Sequence, residues 1–320
     1  MKKIILISLI IILGMSSLAF ANAADPGIPS GKAGSILIYP MIDSSSSSPD
    51  QINTRISIIN TNPIDDVAVR FYLVYNSGGY VNYYDAICLT PNQAFSFLLS
   101  DFDPDIRGYI IAIAVDPVTG EPVSFDYLIG DEYVKRPTTT TNPISPSEGL
   151  ISAEIYSFSD LSIDPGTGLL SLTIPGNAMA IPSIPSSVAG NKITFAHDVL
   201  WNNPSTIQFF GLLFDDAGTP FSYMYNLLNN QYVGELSDTF PRTTPRFTTV
   251  IPAGRTGWTK IYAAGSNSAN PDAGAVFIYN PNAQTQANAF NSAITLPMYG
   301  DPHTVVLPID PGTFVPPYCF

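Results

Sequence analysis

The chain has 320 residues, 45% of them apolar, and sets 13 Lys+Arg against 26 Asp+Glu for a formal charge of −13. That apolar share can fill sizeable cores and argues against global disorder. The acidic balance argues against nucleic acid and anionic membrane surfaces as partners and suits cations or simple solubility.

Met1-Lys2-Lys3 is a basic start, Ile4 to Leu13 an unbroken apolar run, and Ala21-Asn22-Ala23 a small-residue cleavage pattern. Residues 1–23 therefore read as a secretory signal peptide, with cleavage after Ala23, or after Ala21 as the near alternative. The protein is expected to be exported, to the exterior, the cell surface or the periplasm. No later apolar run reaches the ~20 residues of a membrane helix, so no transmembrane segment is expected in the mature chain.

The rest reads as strands and turns. Ile36–Tyr39, Thr54–Asn60, Val67–Tyr75, Ala94–Leu99, Tyr109–Val115 and Val123–Ile129 are rich in Ile, Val, Tyr and Phe. Their connections carry Gly, Pro, Asn and Asp. Ser44 to Ser48 reads as a flexible serine loop. Residues 136–149, with four threonines and three prolines, read as a linker.

The expected fold class is all-β: two tandem antiparallel β-sandwich domains of immunoglobulin-like architecture, at 24–135 and 150–300, followed by a Pro-rich tail at 301–320. Val305-Val306-Leu307 in that tail can add an edge strand. The resemblance to extracellular sandwich modules is one of architecture alone.

Three markers suggest an internal duplication. Asn62-Pro63 and Asn203-Pro204 each precede an apolar strand. Pro91 and Pro252 each precede an aromatic by six residues, Phe97 and Trp258. Phe125-Asp126-Tyr127 parallels Phe277-Ile278-Tyr279. A competing register aligns Asp116–Tyr127 with Asp215–Tyr225, but hairpins with Asp and Gly at the turn look alike for reasons of turn chemistry.

Candidate sites are few. Asp101, Asp103 and Asp105 alternate along a loop and can gather oxygen ligands around calcium, although the ligand set of a helix-loop-helix calcium loop is incomplete. The alternative is a solvated acidic turn using its carboxylates on local N–H groups. Tyr80, Tyr83 and Tyr84 cluster after Gly78-Gly79 and can present rings to a sugar, or simply pack. Cys88 and Cys319 are the two cysteines; in an oxidising compartment they can pair, while Cys88 also reads as a buried thiol.

Asp131-Glu132 and Asp215-Asp216 are adjacent carboxylates, which point to opposite sides of a strand and so make no catalytic pair by themselves. His197-Asp198 lacks the geometry of a triad. Arg242, Arg246, Arg255 and Lys260 concentrate positive charge in an acidic chain. No catalytic constellation is recognised. The expected role is a non-catalytic secreted or cell-surface protein, structural, adhesive or ligand-binding, with a glycan or another surface protein as partner. The alternatives are a carbohydrate-binding module and a hydrolase of envelope or extracellular polysaccharide.

Overall fold

The computed structural model describes residues 33–50, 52–76, 81–137, 148–154, 156–158, 161–174, 178–185, 192–199, 207–227, 231–235, 244–263, 272–279, 292–295, 298–299, 303–307 and 319. The protein is all-β: antiparallel sheets with two helices of four residues each among the described residues. No helix among them is long and apolar enough to cross a membrane.

Five strands form sheet II: β1 (Ile36–Asp43), β3 (Val67–Tyr75), β4 (Val81–Leu89), β6 (Arg107–Val115) and β9 (Tyr156–Phe158), in the order β4-β3-β6-β1-β9. Four form sheet I: β2 (Asn53–Asn60), β5 (Ala94–Leu98), β7 (Leu128–Pro137) and β8 (Glu148–Glu154), in the order β5-β2-β7-β8. The two sheets share a core. Ile56 and Ile58 of β2 meet Val67, Val69, Phe71 and Leu73 of β3 and Leu37 and Tyr39 of β1.

The alternate residues of β3, Ala68, Tyr72 and Val74, are buried too. They pack with Ile36, Ile38, Ile111 and Ile113 beneath Leu170 and Leu307. Sheet II is thus covered on both faces, which is why β1 and β3 read as near-continuous apolar runs while β2 alternates. Each fully buried Ile, Val or Leu contributes roughly 1.5–3 kcal/mol.

The second cover is sheet III: β10 (Leu161–Ile163), β11 (Leu170–Ile174) and β21 (His303–Val306), in that order. The Leu307 N–H donates to the Leu170 carbonyl at 2.7 Å. The chain end therefore returns to the first half of the molecule.

Local structure differs from the sequence reading in several places. Val123–Ile129 is not one strand: β7 begins at Leu128, and Phe125 and Asp126 donate their N–H groups to the Ser35 hydroxyl at 2.8 and 3.1 Å. Ser35 in turn donates to the Asp126 carboxylate at 2.7 Å, and Asp126 has φ 49°. A side chain replaces the ladder there.

The stretch expected to be a linker begins and ends inside paired strands, with Arg136 opposite Gly149 and Pro137 opposite Glu148. A proline such as Pro137 is tolerated where a strand stops. Residues 138–147 lie outside the described residues. The serine run is pinned, not free: Ser44 is buried, and its N–H donates to the Ile106 carbonyl at 2.9 Å.

The second half repeats this strand order. Its strands are β12 (Ala178–Pro185), β13 (Lys192–Val199), β14 (Ile207–Phe214), β15 (Pro220–Leu227), β16 (Gln231–Glu235), β17 (Thr256–Ala263), β18 (Asp272–Tyr279), β19 (Ser292–Thr295) and β20 (Met298–Tyr299). Sheet V, β15-β14-β17-β12-β20, matches sheet II strand for strand, and sheet IV, β16-β13-β18-β19, matches sheet I.

Irregularities repeat as well. The register slips between Tyr39 and Ile42 in β1 and between Ile181 and Ile184 in β12, each across a proline. A Cβ on Gly108 would lie 1.8 Å from the Val74 carbonyl oxygen, and one on Gly257 would lie 2.4 Å from that of Phe214. Helix α1 (Leu99–Phe102) precedes β6, and α2 (Phe247–Val250) precedes β17; each buries its first residue.

These equivalences correct two of the three sequence markers: Phe125-Asp126-Tyr127 precedes β7, whereas Phe277-Ile278-Tyr279 closes its counterpart β18. Pro252 follows α2, so its counterpart is Pro104 after α1, and not Pro91, which lies between β4 and β5. Phe97 is in β5 and Trp258 in β17, which are not equivalent strands. The competing register fails too: Asp116 follows β6, whereas Asp215 joins β14 to β15.

The strand neighbours β2–β5 and β3–β6 are those of an immunoglobulin Greek key, if strands are lettered in chain order. β1 beside β6, and β7 beside β2, depart from that order.

Among the described residues, a buried side chain joins the halves. Gln231, at the start of β16, donates both Nε2 hydrogens into the first half, to the Pro40 carbonyl at 2.9 Å and the Gly108 carbonyl at 2.7 Å. These are the bulge of β1 and the glycine opposite it. A Gln231→Ala substitution should lower stability by about 1–3 kcal/mol, since it removes two buried hydrogen bonds. Urea unfolding of the wild type and the variant measures this.

Candidate functional site

The acidic loop is knitted to the serine run. Asp101 is exposed on α1. The Asp103 carboxylate accepts from the Tyr75 hydroxyl, and its carbonyl accepts from the Ser44 hydroxyl at 2.8 Å. Asp105, at φ 73°, accepts from the Ser46 N–H at 2.7 Å and from the Ser46 hydroxyl. The Ser46 hydroxyl, and then its N–H, hold the Asp105 carboxyl below the usual range. Two of the three carboxylates are thus occupied by different protein donors. Among the described residues no three His, Cys, Asp or Glu side chains are grouped to hold a metal.

Tyr80 lies outside the described residues. Tyr83 and Tyr84 are in β4, opposite Tyr72 and Phe71. Their side chains, and those of Glu154, His197, Asp198 and Glu235, lie outside the described residues, as does Arg242.

The structure does bring Cys88 and Cys319 together. They form a disulfide with Cα atoms 5.5 Å apart, across 231 residues of sequence. Cys88 is exposed on the edge strand β4, and Cys319 packs against the cluster beneath sheet III.

Neither adjacent carboxylate pair forms a unit. Asp131 is half-buried, while Glu132 is fully buried, opposite Ile56 on the core side of β7. Asp215 accepts from the Ala217 and Thr219 N–H groups at 3.0 and 2.7 Å. Asp216 forms an ion pair with Arg255. Arg246 is exposed just before α2.

The same use of aspartate recurs in two turns with the pattern Asp-Pro-x-Thr-Gly. Asp116 accepts from Val118 and Thr119 N–H at 2.8 and 2.7 Å, and Asp164 from Gly166 and Thr167 N–H at 3.1 and 2.7 Å. The closing Gly120 and Gly168 take φ 74° and 72°. The Thr119 N–H chiefly lowers the Asp116 carboxyl, and the Thr167 hydroxyl chiefly lowers that of Asp164.

Sequence reasoning missed a buried polar group between sheets I and II. Tyr39 is completely buried between sheets I and II, and its hydroxyl donates to the Ser57 carbonyl at 3.0 Å. Burial first, then the charges of Glu132 and Asp131, push its phenol well above the ordinary value. The available signal is the alternation of β7, which puts Glu132 on the same side as Val134.

The outer face of sheet V carries a second feature. Phe214 and Trp258, opposite each other across β14 and β17, stack with centroids 4.2 Å apart and planes 7° apart. The Lys260 ammonium lies 5.3 Å from the centre of the Trp258 ring. Phe210, Leu212 and Tyr262 share this face half-buried, and Met224 is 53% exposed. The opposite face of the same strands is filled: Tyr223, pressed against Gly211, bonds its hydroxyl to that of Thr259 at 2.8 Å.

No family model matches the chain, and no curated protein matches it. Among solved structures, the crystal structure of Thermotoga maritima 1070 aligns at 11% identity and TM-score 0.29, over 40% of this chain and 97% of its own. A Momordica charantia 7S globulin aligns at 10% identity and TM-score 0.15, over 75% and 72%. At these scores neither likeness identifies a fold or a function.

Two outcomes follow from the titrating groups. Tyr39 favours its neutral form in the folded state, so its contribution is complete below about pH 10 and lost as pH rises through the higher folded value. Tyr39→Phe should cost about 1 kcal/mol near neutrality and flatten the alkaline decline, read by urea unfolding at about pH 7 and about pH 10.5. Asp116 and Asp164 have the opposite sign. Their contribution is present above the ordinary carboxylate range and lost as pH falls through their lowered values. Amide exchange at Thr119 and Thr167 should rise on acidification relative to exchange at β3, and should do so near neutrality in Asp116→Ala and Asp164→Ala, which remove the acceptor.

Proposed function

We propose that this is an exported, non-catalytic protein of two tandem β-sandwich units, immunoglobulin-like in sharing the β2–β5 and β3–β6 neighbours, with a structural or adhesive role at the cell surface. The observation that carries it is the repeated strand order, sheets I and II against sheets IV and V, joined by the buried Gln231. Repetition with a fixed joint suits a part that spans a distance or presents a surface. The signal-like N-terminus supports export, and the disulfide suits an oxidising compartment.

A carbohydrate-binding role is the second reading, and the sheet V face favours it: Phe210, Phe214, Trp258 and Tyr262 stand together on an antiparallel sheet. Stacking on a sugar requires a free ring face, and Phe214 and Trp258 turn one face of each ring toward the other. The calcium-dependent and hydrolytic readings rest on sequence alone.

Fractionation of the host and a glycan array separate these readings. Recovery of the mature chain with the cell envelope, with no array signal, is expected from the structural or adhesive role. An array signal abolished by Trp258→Ala would transfer the assignment to the carbohydrate-binding reading. Recovery in the cytoplasm would overturn both.

A further inference from the structure

We propose that the Cys88–Cys319 disulfide is a redox latch that holds the C-terminal strand β21 over sheet II. Three observations meet here. β21 is only four residues long and pairs with β11 at the edge of a three-stranded sheet, a short hold by itself. Leu307, directly after it, is fully buried with Leu170 in the cluster that covers Ile36, Ala68, Tyr72 and Val74. Cys319 then reaches Cys88, which stands opposite Ala68 on the edge strand β4 and is exposed.

A covalent tie across 231 residues raises the local concentration of the tail at its docking place, and its loss lowers it. Exposure of Cys88 gives a reductant access, and exposed disulfides are the labile class.

The chemistry balances with a dithiol as reductant. One thiolate of the dithiol attacks the Cys88 sulfur, the bond to Cys319 breaks, and Cys319 leaves as a thiolate that takes a proton from water. The second thiol of the dithiol then displaces Cys88, which also ends as a thiol. The dithiol leaves as its own disulfide, so two electrons and two protons pass to the protein. Opening the latch lets β21 leave β11, which exposes the edge of β11 and the apolar cluster under Leu307. The first unit keeps its own core between sheets I and II, in which β21 takes no part.

Amide exchange on the full mature chain tests this, before and after reduction by dithiothreitol and again after reoxidation by oxidised glutathione. The expected result is an increase of about tenfold or more in exchange across residues 304–307 on reduction, with β3 and β6 unchanged and protection restored on reoxidation. Cys319→Ser should exchange like the reduced chain without any reductant. Unchanged exchange at β21 on reduction overturns the proposal, because the strand then holds without the bond. Loss of protection in β3 and β6 together with β21 overturns it as well, because the bond is then a staple of the whole fold.

Discussion

The constraint on which the molecule depends is the two-sided burial of sheet II. β1, β3 and β6 bury nearly every side chain, so the sheet needs two apolar covers. Sheet I supplies one from the same unit. The other is assembled from distant pieces: β10 and β11, which follow the first unit, and β21 with Leu307, which follow the second. A chain that builds its central sheet first and part of its cover last must bring its end back to its beginning. The disulfide and the Gln231 joint are two ways of meeting that requirement, one covalent and one through buried hydrogen bonds.

The repeat shows which features the topology itself demands. The proline-centred bulge, the glycine opposite it and the short helix before the sixth strand occur in both halves. A carbonyl crowds each glycine, so a side chain is excluded for steric reasons and not for reasons of function. What differs is the boundary. Val74 and Tyr109 are buried in the first unit, while their counterparts Phe214 and Trp258 are half-exposed in the second. The same sheet thus has an internal face in one unit and an outward aromatic face in the other, and that difference is where a partner-facing role is to be sought.

Legibility followed the range of the interaction. The alternation of β2 and the apolar runs of β1 and β3 are local consequences of one-sided and two-sided burial, and they could be read directly. The segment around Phe125 was misread because its apolar residues suit a strand, while the group that holds its backbone is Ser35, some ninety residues earlier. The threonine and proline content of 136–149 disguised two strand ends. The duplication was visible, but its register was not, because turns give the strongest sequence signal and their chemistry is shared by unrelated hairpins. A lone glutamine such as Gln231 carries no signal at all until 191 residues of chain have folded.

The acidic residues show why a carboxylate-rich loop is weak evidence for a cation. A carboxylate at the head of a turn has N–H groups two and three residues ahead of it, and Asp116, Asp164 and Asp215 each use such donors or the next one along. Asp103 and Asp105 do the same at longer range, on Tyr75 and on the serine loop. At Asp105, Asp116 and Asp164 those donors lower the carboxyl's proton affinity much as a cation would, so spacing alone does not separate the two uses. The distinction lies in convergence: a cation needs several carboxylates turned toward one point, while a turn needs one carboxylate turned back on its own backbone. Asp103 and Asp105 face different donors, and the loop they occupy anchors Ser44 and Ser46 beside the entry to β6. These bonds tie Asp103 and Asp105 to the placement of β6, the strand that pairs with both β1 and β3 in the twice-covered sheet.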